Sequence, residues 1–182
     1  LIPYIGTAAT LYTASATLLV FSILGLVVSR AVKPAAIYAG LLVVVLGLML
    51  FAPRGLVKEP QRGTLVEEKE SAYNYIQVVR EGTRYELMLN EGHAIHSIYD
   101  ADQLLTGGPW DYWLIAPYFN KNFAPTDMKG MAMIGSAAGT AMHQYDVVYP
   151  GVPVDGVEID PEIVNIGDKY FGMSTLKNAT TH

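Results

Sequence analysis

The chain has 182 residues, 51% of them hydrophobic, with 12 Lys and Arg against 17 Asp and Glu for a formal charge of −5, and it contains no cysteine. The missing thiols exclude a disulfide framework, thiolate catalysis and a cysteine-based zinc site. The acidic balance is that of a protein without a nucleic-acid partner.

Charge divides the chain in two. Residues 1–58 hold no acid and four basic residues, Arg30, Lys33, Arg54 and Lys58, for +4, whereas 17 acids against 8 Lys and Arg give −9 after them. Such a step marks a boundary between two solvents. Within 1–58, residues 8–28 and 35–51 are free of charged side chains. At about 1.5 Å per residue, helices of these lengths approach the roughly 30 Å hydrocarbon core of a bilayer. The polar stretch Ser29-Arg30-Ala31-Val32-Lys33-Pro34 separates them, and its proline suits a helix start. A transmembrane helical hairpin is predicted. A signal peptide does not fit, because no basic segment precedes the first run and a second run follows it. Thr10, Thr13, Ala14, Ser15, Ala16 and Thr17 are small residues of the kind that allow close helix packing. Arg54, Lys58 and Arg62 at the exit, against Arg30 and Lys33 in the turn, lean towards a cytoplasmic exit. The expectation is a multi-pass integral membrane protein with its second part in the cytoplasm.

Residues 59–105 read as a small antiparallel β domain. Residues 64–70, 74–80, 83–89 and 93–99 alternate or are rich in β-branched and aromatic side chains, and Glu81-Gly82 and Asn90-Glu91-Gly92 supply turns. Residues 106–129 form a connection: Thr106-Gly107-Gly108-Pro109 breaks the chain, residues 110–118 suggest a short aromatic helix, and 120–129 a loop. His93 and His96, three apart on a strand, point to opposite faces and do not share a metal, so no metal site is expected. Trp110, Tyr112 and Trp113 suit either an amine pocket, through cation–π contact, or packing between domains. His143 reads as an ordinary helix residue.

Residues 130–182 carry the most informative pattern. Met131-Ala132-Met133-Ile134-Gly135-Ser136-Ala137-Ala138-Gly139-Thr140 reads as strand, glycine turn and helix start, and Val154-Asp155-Gly156-Val157-Glu158-Ile159-Asp160-Pro161 as a second strand with an acid at its tip. Glycines let the backbone approach a ligand, and Glu158, nineteen residues beyond Gly139, stands near the spacing at which a carboxylate accepts ribose hydroxyls. Gly135-x-x-x-Gly139 is looser than a dinucleotide fingerprint and closer to the turn of S-adenosylmethionine-type folds. The bland alternative is a tight strand-to-helix turn without a ligand. Asp160-Pro161 has a structural reading of its own, an N-cap followed by proline at the first helical position. The sequon Asn178-Ala179-Thr180 matters only in a glycosylating lumen. A start at Leu1 and an end soon after only the second strand of this domain suggest an internal fragment.

Glu70-Ser71-Ala72-Tyr73-Asn74-Tyr75-Ile76, Leu89-Asn90-Glu91-Gly92, the glycine turn and Glu158-Ile159-Asp160-Pro161 stand in the order seen in spermidine synthases, the polyamine aminopropyltransferases. Over roughly residues 65–171 the chain resembles that family, and most of all its subgroup with membrane helices ahead of the synthase. The resemblance implies an N-terminal β domain before a Rossmann-like, methyltransferase-like domain. It also implies transfer of an aminopropyl group from decarboxylated S-adenosylmethionine, as co-substrate with no prosthetic group, to putrescine or a similar amine. Glu158 would hold the ribose, and Gly135, Ala138 and Gly139 would lie against the nucleoside. Asn74 would help hold the cofactor, matching with Tyr73 the family's Tyr-Gln pair, and Tyr73 and Tyr112 would line the amine site. Two positions depart from the pattern: Ala138 stands where the family turn has an aspartate for the cofactor's amine end, and the glutamine after the family's Leu-Asp-Gly turn has only His96 as its nearest polar counterpart. The catalytic aspartate is expected beyond His182. Homo-oligomerisation is compatible with the resemblance. An S-adenosylmethionine-dependent methyltransferase and a non-catalytic membrane sensor or scaffold are the competing classes.

Overall fold

The computed structural model describes residues 2–51, 58–90 and 94–182, so Glu91, Gly92 and His93 of the expected turn and fourth strand lie outside the described residues. The chain divides into two compact units, Leu1–Val57 and Lys58–His182.

The first unit is a helical hairpin. Helix α1 (Ile2–Val28) has one non-helical residue, Gly6 at φ 79°, and α2 is Val32–Phe51. The link closes as a Schellman turn: the Arg30 N–H donates to Val27 O and the Ala31 N–H to Leu26 O, with Arg30 itself at φ 60°. Helix α2 begins three residues before the predicted start at residue 35. Pro34 is thus its third residue, where the N–H has no partner within the helix in any case. Both helices are long and apolar enough to cross a membrane, and Leu18, Phe21, Leu50 and Phe51 are among their many exposed large side chains. The hydroxyls of Thr10, Thr13, Thr17 and Ser22 turn back onto carbonyls four residues earlier, at 2.7–2.8 Å. That satisfies each donor inside its own helix.

The second unit starts with a four-stranded antiparallel meander, β1 (Thr64–Glu70), β2 (Tyr75–Glu81), β3 (Arg84–Leu89) and β4 (Ile95–Asp100), paired in chain order. Each strand lies within about two residues of its predicted place. One face packs inward: Ile76 and Val78 of β2 and Leu87 and Leu89 of β3 form one cluster with Ala138, Ile163, Ile166 and Phe171 from the second half of the unit. The opposite face is crossed by the incoming chain. There the Gln77 amide donates to Lys58 O at 2.6 Å, and Glu86, only 3% exposed, is paired with Arg62 and Arg84 at 2.9 Å each.

The predicted aromatic helix is shorter than expected. Helix α3 is Pro109–Trp113, and a 3₁₀ turn at Ala116–Phe119 follows it. Pro117 explains the break, because it has no N–H to give and its ring crowds the carbonyl four residues earlier, that of Trp113. The freed carbonyls are used elsewhere: Tyr145 OH donates to Trp113 O (2.7 Å) and Tyr149 OH to Leu114 O (2.8 Å). The expected loop at 120–129 contains a 3₁₀ turn, Pro125–Asp127.

The α/β part follows as β5 (Met131–Ile134), α4 (Thr140–Val148), β6 (Val154–Val157), α5 (Pro161–Tyr170) and β7 (Ala179–Thr181), with the parallel order β5-β6-β7. The reading that only two strands occur here is corrected by β7, whose three residues are too few to display a period of two. Asn178, at its edge, donates to Asp146 at 3.2 Å.

Candidate functional site

The site is built on three consecutive excursions into left-handed backbone. Gly135 (φ 77°), Ala137 (φ 48°) and Gly139 (φ 85°) turn the chain from the end of β5 into α4. The Gly135 and Ser136 N–H groups both donate to Val157 O, at 2.8 and 3.1 Å, holding the turn against the end of β6. At Ala137 a left-handed conformation costs on the order of 1–2 kcal/mol in an L-residue. Its N–H is thereby aimed at the acid on the neighbouring strand.

Glu158 is the acid at the strand tip, as the spacing implied. Its Oε2 accepts from the Ala137 N–H at 2.9 Å and its Oε1 from the Asp160 N–H at 3.1 Å. A carboxylate offers about four acceptor positions, so two protein donors leave capacity for a diol. Ala138 is placed differently from a ligand contact. It is 0% exposed inside the Ile163, Ile166 and Phe171 cluster, and its N–H donates to Ser97 Oγ at 2.9 Å. Ser97 and Thr140 escaped the sequence reading, since single hydroxyls carry no spacing signal. Thr140 Oγ1 donates to Ile98 O (2.9 Å) and accepts from the Ile98 N–H (2.7 Å), so β4 is stitched to the turn at two points.

Asn74 reaches the same end of the sheet, where its amide donates to Asp160 Oδ2 at 2.9 Å. Asp160 is the predicted N-cap of α5, accepting from the Glu162 N–H at 3.1 Å. It is also fully buried and accepts from Ser71 Oγ at 2.5 Å, a role that an N-cap motif does not reveal. Tyr73 is 54% exposed beside this loop.

A cavity of about 260 Å³ lies between β4, α3 and the glycine turn, lined by Ile95, His96, Trp110, Trp113, Gly135, Ser136 and Ala137 among others. Trp110 and Trp113 are thus brought to the turn, while Tyr112 is 73% exposed and outside the lining. Asp111 anchors this aromatic segment. Burial alone would raise its carboxyl, but the Thr106 N–H, the Gln144 amide, the Thr106 hydroxyl and the Gly107 N–H outweigh that and hold it below the ordinary aspartate value. His143, edge-on to Tyr99 with centroids 5.3 Å apart, has its pKa lowered by burial, with Asp146 opposing. Among the described residues no group of three or more His, Asp or Glu stands ready for a metal ion.

No family model matches the chain. It is 34% identical over 107 residues, 59% of its length, to a probable polyamine aminopropyl transferase of Bifidobacterium longum (strain NCC 2705), and spans 23% of that protein. Its fold matches that of a probable spermidine synthase from Corynebacterium glutamicum ATCC 13032 with a TM-score of 0.50 at 15% identity, covering 66% of this chain and 44% of the other. The curated relative supports the resemblance to the polyamine aminopropyltransferases and the solved structure supports the fold, and the chain spans less than half the length of either.

Two outcomes follow from the burial at this site. Ala138→Asp puts a carboxylate into an apolar cluster and should cost about 3 kcal/mol or more in urea unfolding; an unchanged midpoint would show that position 138 opens to solvent. His143 titrates lower in the folded chain, so the unfolded chain binds the proton first. Stability should therefore fall as pH drops below the ordinary imidazole value of about 6.5. His143→Gln should flatten that part of the profile, and an equal slope in both proteins would contradict the assignment.

Proposed function

We propose that this chain is the membrane-anchored, nucleoside-holding part of a spermidine synthase-like aminopropyltransferase, which moves an aminopropyl group from decarboxylated S-adenosylmethionine to putrescine or a similar amine. One observation carries the reading: the Glu158 carboxylate, at the carboxyl end of a parallel strand, faces a left-handed turn through the Ala137 N–H. Ligands of open α/β sheets bind at that end of the strands. Glu158 accepts the ribose hydroxyls, the Gly135 to Ala137 backbone lies along the nucleoside, and a short aliphatic amine suits the neighbouring cavity walled by Trp110 and Trp113.

The chemistry sets the demands on such a site. Attack at the carbon next to a sulfonium needs a neutral amine, in line with the departing thioether, and a group to take its proton. The net charge of −9 after residue 58 favours approach of cationic amines. A second reading, a nucleoside sensor without turnover, is favoured by Ala138, whose methyl is closed into the core where the family resemblance implies an aspartate. It predicts nucleoside binding without consumption of the amine.

Helices α1 and α2 cross the membrane in this proposal. Their apolar side chains lie largely open, the Thr10, Thr13, Thr17 and Ser22 hydroxyls of α1 are satisfied within the helix, and no acid occurs before Glu59. The second unit then faces the cytoplasm, where the nucleoside co-substrate is made.

Glu158→Gln keeps the shape and removes the charge. By calorimetry with methylthioadenosine it should lose on the order of 1.5–3 kcal/mol, the scale of a hydrogen bond to a charged group, and equal affinity would end the ribose assignment. For topology, the cysteine-free background allows Thr83→Cys in the exposed β2–β3 turn as a single probe. A membrane-impermeant maleimide should leave it unlabelled in intact cells and label it after lysis; labelling before lysis would reverse the orientation.

A further inference from the structure

We propose that Asn74 is a positioning residue and that, together with Ser71, it sets nucleoside affinity through Asp160. This rests on the nucleoside reading of Glu158 and adds to it the β1–β2 loop. Both ends of the Asn74 amide are engaged within the protein: Nδ2 donates to Asp160 Oδ2 at 2.9 Å, and Oδ1 accepts from Asn90 Nδ2 at 3.1 Å. Ser71 Oγ donates to the same Asp160 oxygen at 2.5 Å while accepting the Tyr73 and Asn74 N–H groups at 3.1 and 2.8 Å, so the loop is wound around the hydroxyl.

Asp160 passes this constraint on. Its carboxylate is out of contact with water, and Ser71, Asn74 and the Glu162 N–H together satisfy it. With the side chain so held, the Asp160 backbone N–H is fixed at 3.1 Å from Glu158 Oε1, and the Ala137 N–H fixes Oε2 at 2.9 Å. Two donors on two oxygens determine the plane of the Glu158 carboxylate before any ligand arrives, which lowers the ordering cost of binding. Loss of the Asn74–Asp160 bond releases one of those donors, and the penalty falls on ligands that use Glu158.

The test compares methylthioadenosine with its 2′,3′-dideoxy counterpart by calorimetry on the full chain. Asp160→Asn leaves an amide donor facing either the Asn74 and Ser71 donors or the Glu162 N–H. It should weaken methylthioadenosine binding about tenfold, the scale of one lost supporting hydrogen bond, and leave the dideoxy compound unchanged. Adding Asp160→Asn to Glu158→Gln should produce no further loss. If Asp160→Asn does not fold, Asn74→Ala and Ser71→Ala carry the same comparison. Parent-like affinity in these variants, or equal losses for both nucleosides, would overturn the positioning role. A parent chain that binds neither nucleoside, or a Glu158→Gln chain that binds like the parent, would instead overturn the nucleoside reading itself.

Discussion

A carboxylate withdrawn from water has to be fully hydrogen-bonded, and the buried Asp160 imposes that demand on everything around it. Its donors come from two places far apart in the chain, the β1–β2 loop and the first turn of α5. The β meander and the α/β half are therefore joined at this point by a polar knot as well as by the Ile76, Val78, Ile163 and Phe171 cluster. Flanking pairs repeat the join along α5, with Lys69 on Glu162, and with Lys169 and Tyr170 both on Glu67. The Lys169 ammonium and then the Tyr170 hydroxyl hold the Glu67 carboxyl below the ordinary value. Stacking of Tyr85 on Tyr170 at 5.7 Å extends the contact to β3.

The glycine turn shows how strain is offset locally. A left-handed alanine is unfavourable by itself, yet at Ala137 it aims a backbone donor at Glu158. The neighbouring Ala138 N–H goes to Ser97, and Thr140 bonds both backbone groups of Ile98. β4 thus holds the turn through the Ser97 side chain and the Ile98 backbone. At Gly139 a Cβ would fall 2.5 Å from Met173 Cγ, so the absence of a side chain serves packing as well as conformation.

The hairpin of the first unit follows a different rule. Its hydroxyls bond within the helix, and its large apolar side chains have little protein to cover them. In the second unit, by contrast, buried polar groups such as Gln77, Ser97 and Asp160 find partners distant in sequence.

Much of this order was legible in the residues themselves. Long uncharged runs, hairpin turn residues and the strand–turn–helix pattern depend on local periodicity and on backbone preference, which neighbouring residues encode. Hence α1 and α2, which start six and three residues ahead of the expected runs, the four meander strands and the Glu158 tip appear close to where the sequence puts them. The short elements were hidden: three residues of β7 show no period, and the division of the aromatic segment at Pro117 depended on the Tyr145 and Tyr149 hydroxyls donating to the freed carbonyls. The site was half legible. Spacing brought Glu158 to the turn, because the distance along β5, α4 and β6 is set by the elements between. Only the tertiary structure decided that Ala138 points into the core, that Trp113 and not Tyr112 lines the cavity, and that Asn74 meets a buried Asp160. Those outcomes depend on side-chain direction and on partners up to 89 residues away, as with Ser71 and Asp160, and no local pattern encodes either.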